Sequence, residues 1–400
     1  MPDLPVPDMA LTQAPKPALW NDPRARAIAW QVILLAAIVA LGLAAGSNAL
    51  ENMRARNIPT GFGFLWDTAG FDINLALVPF QAGQSTFAQA FLVGLLNTLL
   101  VCAISLVFTT IIGFAVGIAR LSPSWPLARL ATVYVETLRN IPLPLQLLFW
   151  YNAILTPLPA PRQAISLFDL VFLHNRGLVM PEPIFGAGSI WIFWAAFVGL
   201  LATFFVKRRA RLRQEATGAR SPVWPWALLL IIGLPLLVYV LLGEPLRFDV
   251  PHLKGFNFVG GVRVLPELVA LALGLSLYTA SFIAEVVRAG IQSVPRGQIE
   301  AAQAVGLKPG DILQLVTIPQ AMRVIIPPLT NQYLNLIKNS SLAVFVGYPD
   351  LVQVFGDKVR EQSSASVQVV IITMGVYLVI SLITSGLMGL YNRRMALVER

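Results

Sequence analysis

QIEAAQAVGLKPGDILQLVTIP, Gln298–Pro319, is a polar island between long apolar segments. Its pattern predicts two short helices joined by a turn. Ser293 is placed to cap the first helix, and Pro295 suits an early helical position, where a missing N–H is no loss. The helix is expected to run through Glu300 to about Val305. Gly306 then ends it, because glycine enters the left-handed conformation at a helix C-terminus without a Cβ penalty. Leu307 follows as an apolar contact. Lys308-Pro309-Gly310 reads as a second turn, Asp311 sits favourably near the start of the next helix, and Pro319 is expected to break that helix. Ala301 and Ala302 keep one face small, so another protein surface can approach, and Glu300 offers it a carboxylate. Each feature alone is common in an ordinary surface loop. Their joint spacing argues for a docking loop: Glu-Ala-Ala, then Gly306, then Val316, Ile318 and Pro319.

The rest of the chain is a membrane protein. Mean hydropathy is +0.70, 56% of residues are hydrophobic and 12% are charged, against about 25% charged in soluble domains. A net charge of +9 would suggest nucleic acid in a soluble protein; here it reads as basic anchors of membrane spans. Cys102 is the single cysteine, so the chain has neither an internal disulfide nor a cysteine metal site. His174 and His252 lie far apart in loops, which argues against a histidine metal site.

Apolar runs of bilayer length predict eight spans, near 28–46, 88–119, 130–154, 187–206, 223–243, 263–289, 320–346 and 364–391. Residues 1–27 read as a disordered cytoplasmic tail, Pro-rich and without the basic start of a signal peptide. Lys207, Arg208, Arg209, Arg211, Arg213 and Arg220 crowd one loop. Arg120 and Arg129 lie between spans two and three, and Arg393, Arg394 and Arg400 follow the last span. All fall on the cytoplasmic side if both termini are cytoplasmic, and so does the 298–319 segment. Positive charge is thinner on the other side, at Arg54, Arg56, Arg162, Arg176, Arg247 and Lys254. The domain reading is therefore 28–87 for the first span and an aromatic outer loop, 88–154 and 263–395 for the two parts of the core, and 155–262 for an insertion with two spans. Phe62, Phe64, Trp66, Phe71 and Phe80 suit an outer loop lying on the membrane surface.

The docking segment resembles the EAA loop of permease subunits of ABC importers, with Val316 and Ile318 where that signature usually has Ile and Leu. LYTASFIAEVVRAGIQSVPRGQIEAAQAVGL from Leu277, GLLNTLLV from Gly94, YVETLRNIPLPLQLLFWY from Tyr134 and LIKNSSLAVFVGYPDL from Leu336 are similar to the polar amino-acid permease subfamily. The first span, outer loop and insertion further resemble the general L-amino-acid permeases of proteobacteria. The resemblance implies an all-α polytopic fold of the type I ABC importer class, with about eight spans and cytoplasmic termini. It implies a multi-pass protein of the bacterial inner membrane that imports polar L-amino acids. The coupling residues would be Glu300, Ala301, Ala302, Gly306, Lys308, Asp311 and Pro319, in the loop 293–319.

Ionisable groups within spans are costly and are functional candidates. Glu136 and Arg139 share a helix face; they either neutralise each other or line a cavity for a zwitterion. Pro142 and Pro144 should open or bend that helix, leaving backbone groups to line a cavity. Glu285 and Arg288 repeat the spacing, with Ser281, Thr279 and Tyr278 nearby. Lys338 either binds a carboxylate or snorkels from a helix end, while Asn339 and Ser340 offer hydrogen bonds. Gln146 completes this pathway set with Asn97, for which interhelical bonding is the stronger reading.

No GxxxxGK[ST] phosphate loop or catalytic triad occurs, so this chain is expected to be no enzyme and to bind no cofactor. The resemblance implies ATP and Mg on a partner ATPase dimer, a second permease giving a heterodimer, a periplasmic amino-acid-binding protein and membrane lipid, with no nucleic acid. Alternatives are an ABC permease for another small solute, a secondary transporter, which leaves the docking loop unexplained, and a membrane scaffold, which leaves the intramembrane charges unexplained.

Overall fold

The computed structural model describes residues 23–55, 61–218, 222–243 and 245–395 of the chain. The expected tail lies largely outside the described residues, as do Arg56, Arg220 and Arg400. Helix α1 already begins at Pro23 and ends at Ala55, so residues 23–27 are helical rather than part of a tail. A stretch of loop leads to α2, Phe87–Ala119, which starts on a capping box: Thr86 accepts the Gln89 amide while the Gln89 side chain accepts the Thr86 amide. Next come α3, Trp125–Asn140, and α4, Leu143–Leu148, which continues through a π-turn at Phe149–Leu155.

Seven helices among the described residues are long and apolar enough to cross a membrane. The third expected span, 130–154, is instead α3 and α4 with a break between them. Ile141 and Pro142 are extended there, with ψ of 127° and 136°. The two prolines force the break, because a residue before proline is disfavoured in the helical region. Gln146 closes the corner by donating to Leu138 and Ile141 carbonyls at 2.8 and 2.9 Å.

The insertion contains β-structure that the sequence reading did not find. Strands β1 (Ile165–Leu167), β2 (Val171–His174), β3 (Gly177–Met180) and β4 (Glu182–Phe185) precede α5, Ile190–Thr217. A helix from α6 (Trp224–Leu228) through a π-turn to α7 (Leu234–Leu241) returns antiparallel to α5. Strands β5 (Leu246–Asp249), β6 (His252–Lys254), β7 (Asn257–Val259) and β8 (Val262–Val264) follow. Sheet order is β1-β2-β3-β8, with separate pairs β4-β5 and β6-β7. Leu178 faces Val264 and Glu182 faces Asp249, so the strands before the helical hairpin pair with those after it. The helical hairpin is thereby clamped at its base by antiparallel ladders.

Helix α8, Pro266–Gln292, is the centre of the bundle and packs on α2, α3, α4 and α11. Its contact with α2 depends on small residues, as expected where helices approach closely in a membrane. A Cβ at Gly113 would lie 2.6 Å from Ile283 Cγ2, and one at Gly117 would lie 2.8 Å from the Ala284 carbonyl oxygen. Then follow α9 (Arg296–Ala304), α10 (Pro309–Ile312), α11 (Ile318–Asn339), a short 3₁₀ segment at Ser340–Phe345, a π-turn at Val352–Val359, α12 (Arg360–Gln362) and α13 (Ser366–Met395).

The aromatic loop does not simply lie on a membrane surface. Phe64, Phe71 and Phe80 fold inward over the end of the bundle, where Phe64 meets Phe355 at 6.4 Å between centroids and Phe71 meets Phe87 at 6.4 Å. Trp66 and Phe62 alone of the five are exposed. Burying aromatic area against Phe87 and Phe355 satisfies these rings without lipid.

Candidate functional site

The coupling-loop candidate follows α8 directly. Ser293 does not cap α9; its hydroxyl donates back to the Gly290 carbonyl at 2.8 Å. The N-cap is Pro295, in an extended conformation and without a side-chain cap. The C-terminus is as expected. Gly306 has φ of +79°, and its amide donates to Gln303 at 2.9 Å while Leu307 donates to Ala302 at 3.2 Å. That pair of bonds is a Schellman cap. Lys308 is the N-cap of α10, Pro309 its first residue, and Asp311 lies in its first turn.

Two expectations about this loop change. Pro319 does not break a helix: the chain is continuously helical over Pro309–Phe345. Pro319 sits in the first turn of α11, immediately after the π-turn Leu313–Thr317. The wider turn shifts the hydrogen-bond register and accommodates the missing donor. Ala302 is buried against its own chain, so only Ala301 of the alanine pair is open to a partner. Glu300, Gln303, Gly306 and Lys308 are exposed. Val305, 77% exposed, and Leu313 and Leu315 beside it add an apolar component that the sequence reading missed. An exposed valine in the helix-ending position was its available signal.

A charge cluster stands at the same end of the bundle. Arg120, the C-cap of α2, ion-pairs with Glu285 of α8. Glu285 also holds Arg288, at 2.5 Å, and Arg288 in turn donates to Gln292 at 2.5 Å. Glu136 of α3 lies 3.9 Å from Arg120. One carboxylate between two guanidiniums thus joins α2 to α8, and α3 approaches the same arginine. Side-chain exposures of 10% for Arg120, 28% for Glu285 and 29% for Arg288 put the network between surface and buried pairs. Such a network is worth about 1–3 kcal/mol. Arg120 reads from sequence only as a loop charge; its role needs the approach of α2 to α8.

The remaining pathway candidates separate into two groups. Asn97, Gln146, Ser281 and Ser340 are buried and donate to main-chain carbonyls. Asn97 bonds the carbonyls of Leu75 and Pro349 at 2.8 Å each, and both lie in loops, so it ties α2 to loop backbone rather than to a neighbouring helix. With Tyr348, which donates to the Asn97 carbonyl, and Thr98, which accepts the Leu351 amide, it supports the non-helical backbone after α11. Irregular backbone at this depth is tolerated only when buried and bonded in this way. The second group is open: Glu136, Arg139 and Lys338 are exposed, and Asn339 is half-buried. Glu136 and Arg139 are not ion-paired with each other; Arg139 lies over the Phe282 ring, 5.1 Å from its centroid.

The family model for the binding-protein-dependent transport system inner membrane component matches residues 109–397, which include α3, α8, the charge cluster and the 293–319 loop. The chain belongs to this family. As an inner membrane component of such a system it is a multi-pass permease subunit, not an ATPase, and its family works with an ATPase and a substrate-binding protein. It is 50% identical over 379 residues to a putative amino-acid ABC transporter permease, YhdX, of Escherichia coli, covering 95% of this chain and 96% of that one. It is 49% identical to the general L-amino acid transport system permease AapQ of Rhizobium johnstonii, covering 95% and 94%. It is 39% identical to the glutamate/glutamine/aspartate/asparagine permease BztB of Rhodobacter capsulatus, covering 98% and 100%. These similarities cover 95–98% of the chain and so extend through the insertion as well as the core.

Proposed function

We propose that this chain is the translocating subunit of an ATP-driven importer that brings polar L-amino acids into the cytoplasm. The observation that carries the substrate class is near-full-length similarity to relatives whose names specify amino acids. Its termini are cytoplasmic in this reading, with α3 and α4 together making one crossing. The basic end of α5, Lys207–Arg213, and the loop 293–319 then face the cytoplasm.

The ATPase dimer, which carries ATP and Mg, docks on α9 and the turn after it through Glu300, Ala301 and Lys308, with Val305 supplying apolar contact. Gly306 fixes where that helix stops, and Asp311 stabilises the start of the next. Closure of the ATPases moves the loop, and α8 passes the movement into the bundle because Glu285 holds Arg120 of α2. Two permease subunits are needed to seat two ATPases, and a related permease is the second. Arg139 and Lys338 are the open cations for an amino-acid carboxylate, and Glu136 is the open anion for an ammonium group. Gln146 holds α4 against the end of α3 and Asn97 ties α2 to loop carbonyls, while the hydroxyls of Ser281 and Ser340 bond carbonyls one turn back in their own segments. A secondary transporter would leave the exposed, capped α9 without a role.

Proteoliposomes holding both permeases and the ATPase, supplied with the binding protein, test this reading. Uptake of a labelled polar amino acid should require ATP. Uptake that persists without the ATPase would contradict it.

A further inference from the structure

The insertion carries a polar pocket that the proposed translocation does not use. It has a volume of about 250 Å³ and lies between β2, β3 and the β7–β8 turn, lined by His174, Arg176, Asn257, Arg263 and the Gly260-Gly261 pair. His174 is 2% exposed, stacked on Phe258 with centroids 5.6 Å apart. Its Nδ1 accepts the Arg176 amide at 3.0 Å. A neutral imidazole that accepts at Nδ1 carries its proton on Nε2, and His174 Nε2 is buried without a hydrogen-bond partner. Burial, with the charges of Arg263 and Arg176 beside it, lowers the pKa of this histidine and keeps it neutral. A buried N–H donor without an acceptor is a cost that a ligand would remove.

The other polar groups select the same chemistry. Neither Arg176 nor Arg263 forms an ion pair among the described residues. Arg176 donates to Asn257 Oδ1 at 2.5 Å, which uses that acceptor. The carboxylate of Asp249 accepts the Gly261 amide at 3.0 Å and lies behind the Gly260-Gly261 turn, outside the pocket lining. Gly260 and Gly261, with φ of +77° and +70°, let the turn close tightly over this aspartate. What faces the pocket is therefore donors and positive charge. Its volume falls below the roughly 300–1,000 Å³ of small-molecule sites, which suits one functional group rather than a whole substrate.

We propose that this pocket binds a single carboxylate. The guanidiniums supply charge-assisted bonds and His174 Nε2 supplies the buried donor. The pocket precedes α8 and the coupling loop follows it, so the two lie at opposite ends of one membrane-crossing helix. Resting on the orientation proposed above, the pocket faces outward, where either a free carboxylate or an acidic side chain of the docked binding protein can enter.

The test uses the complete permease–ATPase assembly in nanodiscs, wild type and with Arg176→Gln, Arg263→Gln, both together, or Lys254→Gln as a charge control outside the pocket. Calorimetry with acetate and with L-glutamate reads the free-carboxylate arm. Interferometry with the binding protein reads the side-chain arm, with acetate as competitor. Loss of one guanidinium should weaken binding in the relevant arm by about tenfold or more, as expected for a hydrogen bond to a charged group. Lys254→Gln should bind as wild type. Weakened acetate binding with unchanged docking assigns the site to a free carboxylate, and weakened docking assigns it to a protein side chain. Acetate binding and docking both unchanged in the folded double variant would overturn the proposal. The acetate arm does not depend on ATP or on membrane orientation, so it stands or falls separately from the transport reading.

Discussion

Gly306→Ala is the cleanest perturbation of the coupling loop. A Cβ at this position meets nothing within 4 Å, so no packing is disturbed. The effect comes from the backbone, held at φ of +79°. A residue with a Cβ is less stable there by roughly 1–2 kcal/mol. Reduced freedom of the unfolded chain returns about 0.4–1 kcal/mol. The net loss is about 1 kcal/mol, or close to fivefold in the ratio of capped to uncapped α9. Because α9 is short and largely exposed, this change stays local. Hydrogen exchange on the intact assembly should show amides of residues 302–307 exchanging about fivefold faster, with α8 and α11 unchanged. ATP-driven uptake should fall while assembly and thermal midpoint hold. Gly306→Asn should be milder, because asparagine tolerates the left-handed conformation better than alanine. Wild-type exchange and uptake in Gly306→Ala, or an asparagine variant as impaired as alanine, would refute the reasoning.

Glu285→Gln leaves Arg120 without its closest counter-charge and should destabilise the assembly by about 1–3 kcal/mol, read as a lowered thermal midpoint; Glu285→Asp should recover part of it. Gly113→Ala forces Ile283 or the α2 backbone to move and should cost about 1–3 kcal/mol, seen as reduced steady-state amounts in the membrane. Arg139→Ala and Lys338→Ala should cut uptake while assembly and ATPase docking stay normal; unchanged uptake in both would remove these cations from the pathway.

Hydropathy made the long helices legible because each span is a continuous apolar run. Gly306 was legible because a left-handed helix end has a local signature in one residue type. The break at Pro142 was legible for the same reason. The strands of the insertion were not: each has three or four residues, too few for alternation to stand out from neighbouring apolar segments. Ser293 had the right side chain for a cap, yet it ends α8 in a helical conformation with its hydroxyl on the Gly290 carbonyl, and Pro295 takes the N-cap position of α9. Pro319 marks a helix break only where the preceding turn is regular, and a π-turn removes that condition. The inward fold of Phe64 depends on Phe355, almost three hundred residues away, and that of Phe71 on Phe87 and Phe80. Arg120 likewise gains meaning only from Glu285, and the donor-lined pocket exists only once β2, β3 and the β7–β8 turn meet.

Site-directed crosslinking tests the docking of the ATPase most directly. Cys102 is the only cysteine, and Cys102→Ser gives a clean background. Gln303→Cys places a thiol on the exposed face of α9, and Asn175→Cys places one in the exposed β2–β3 turn beyond the other end of α8. In the reconstituted assembly, the thiol at 303 should crosslink to the ATPase and the thiol at 175 should not. No crosslink from 303, or equal crosslinking from 175, would contradict the account.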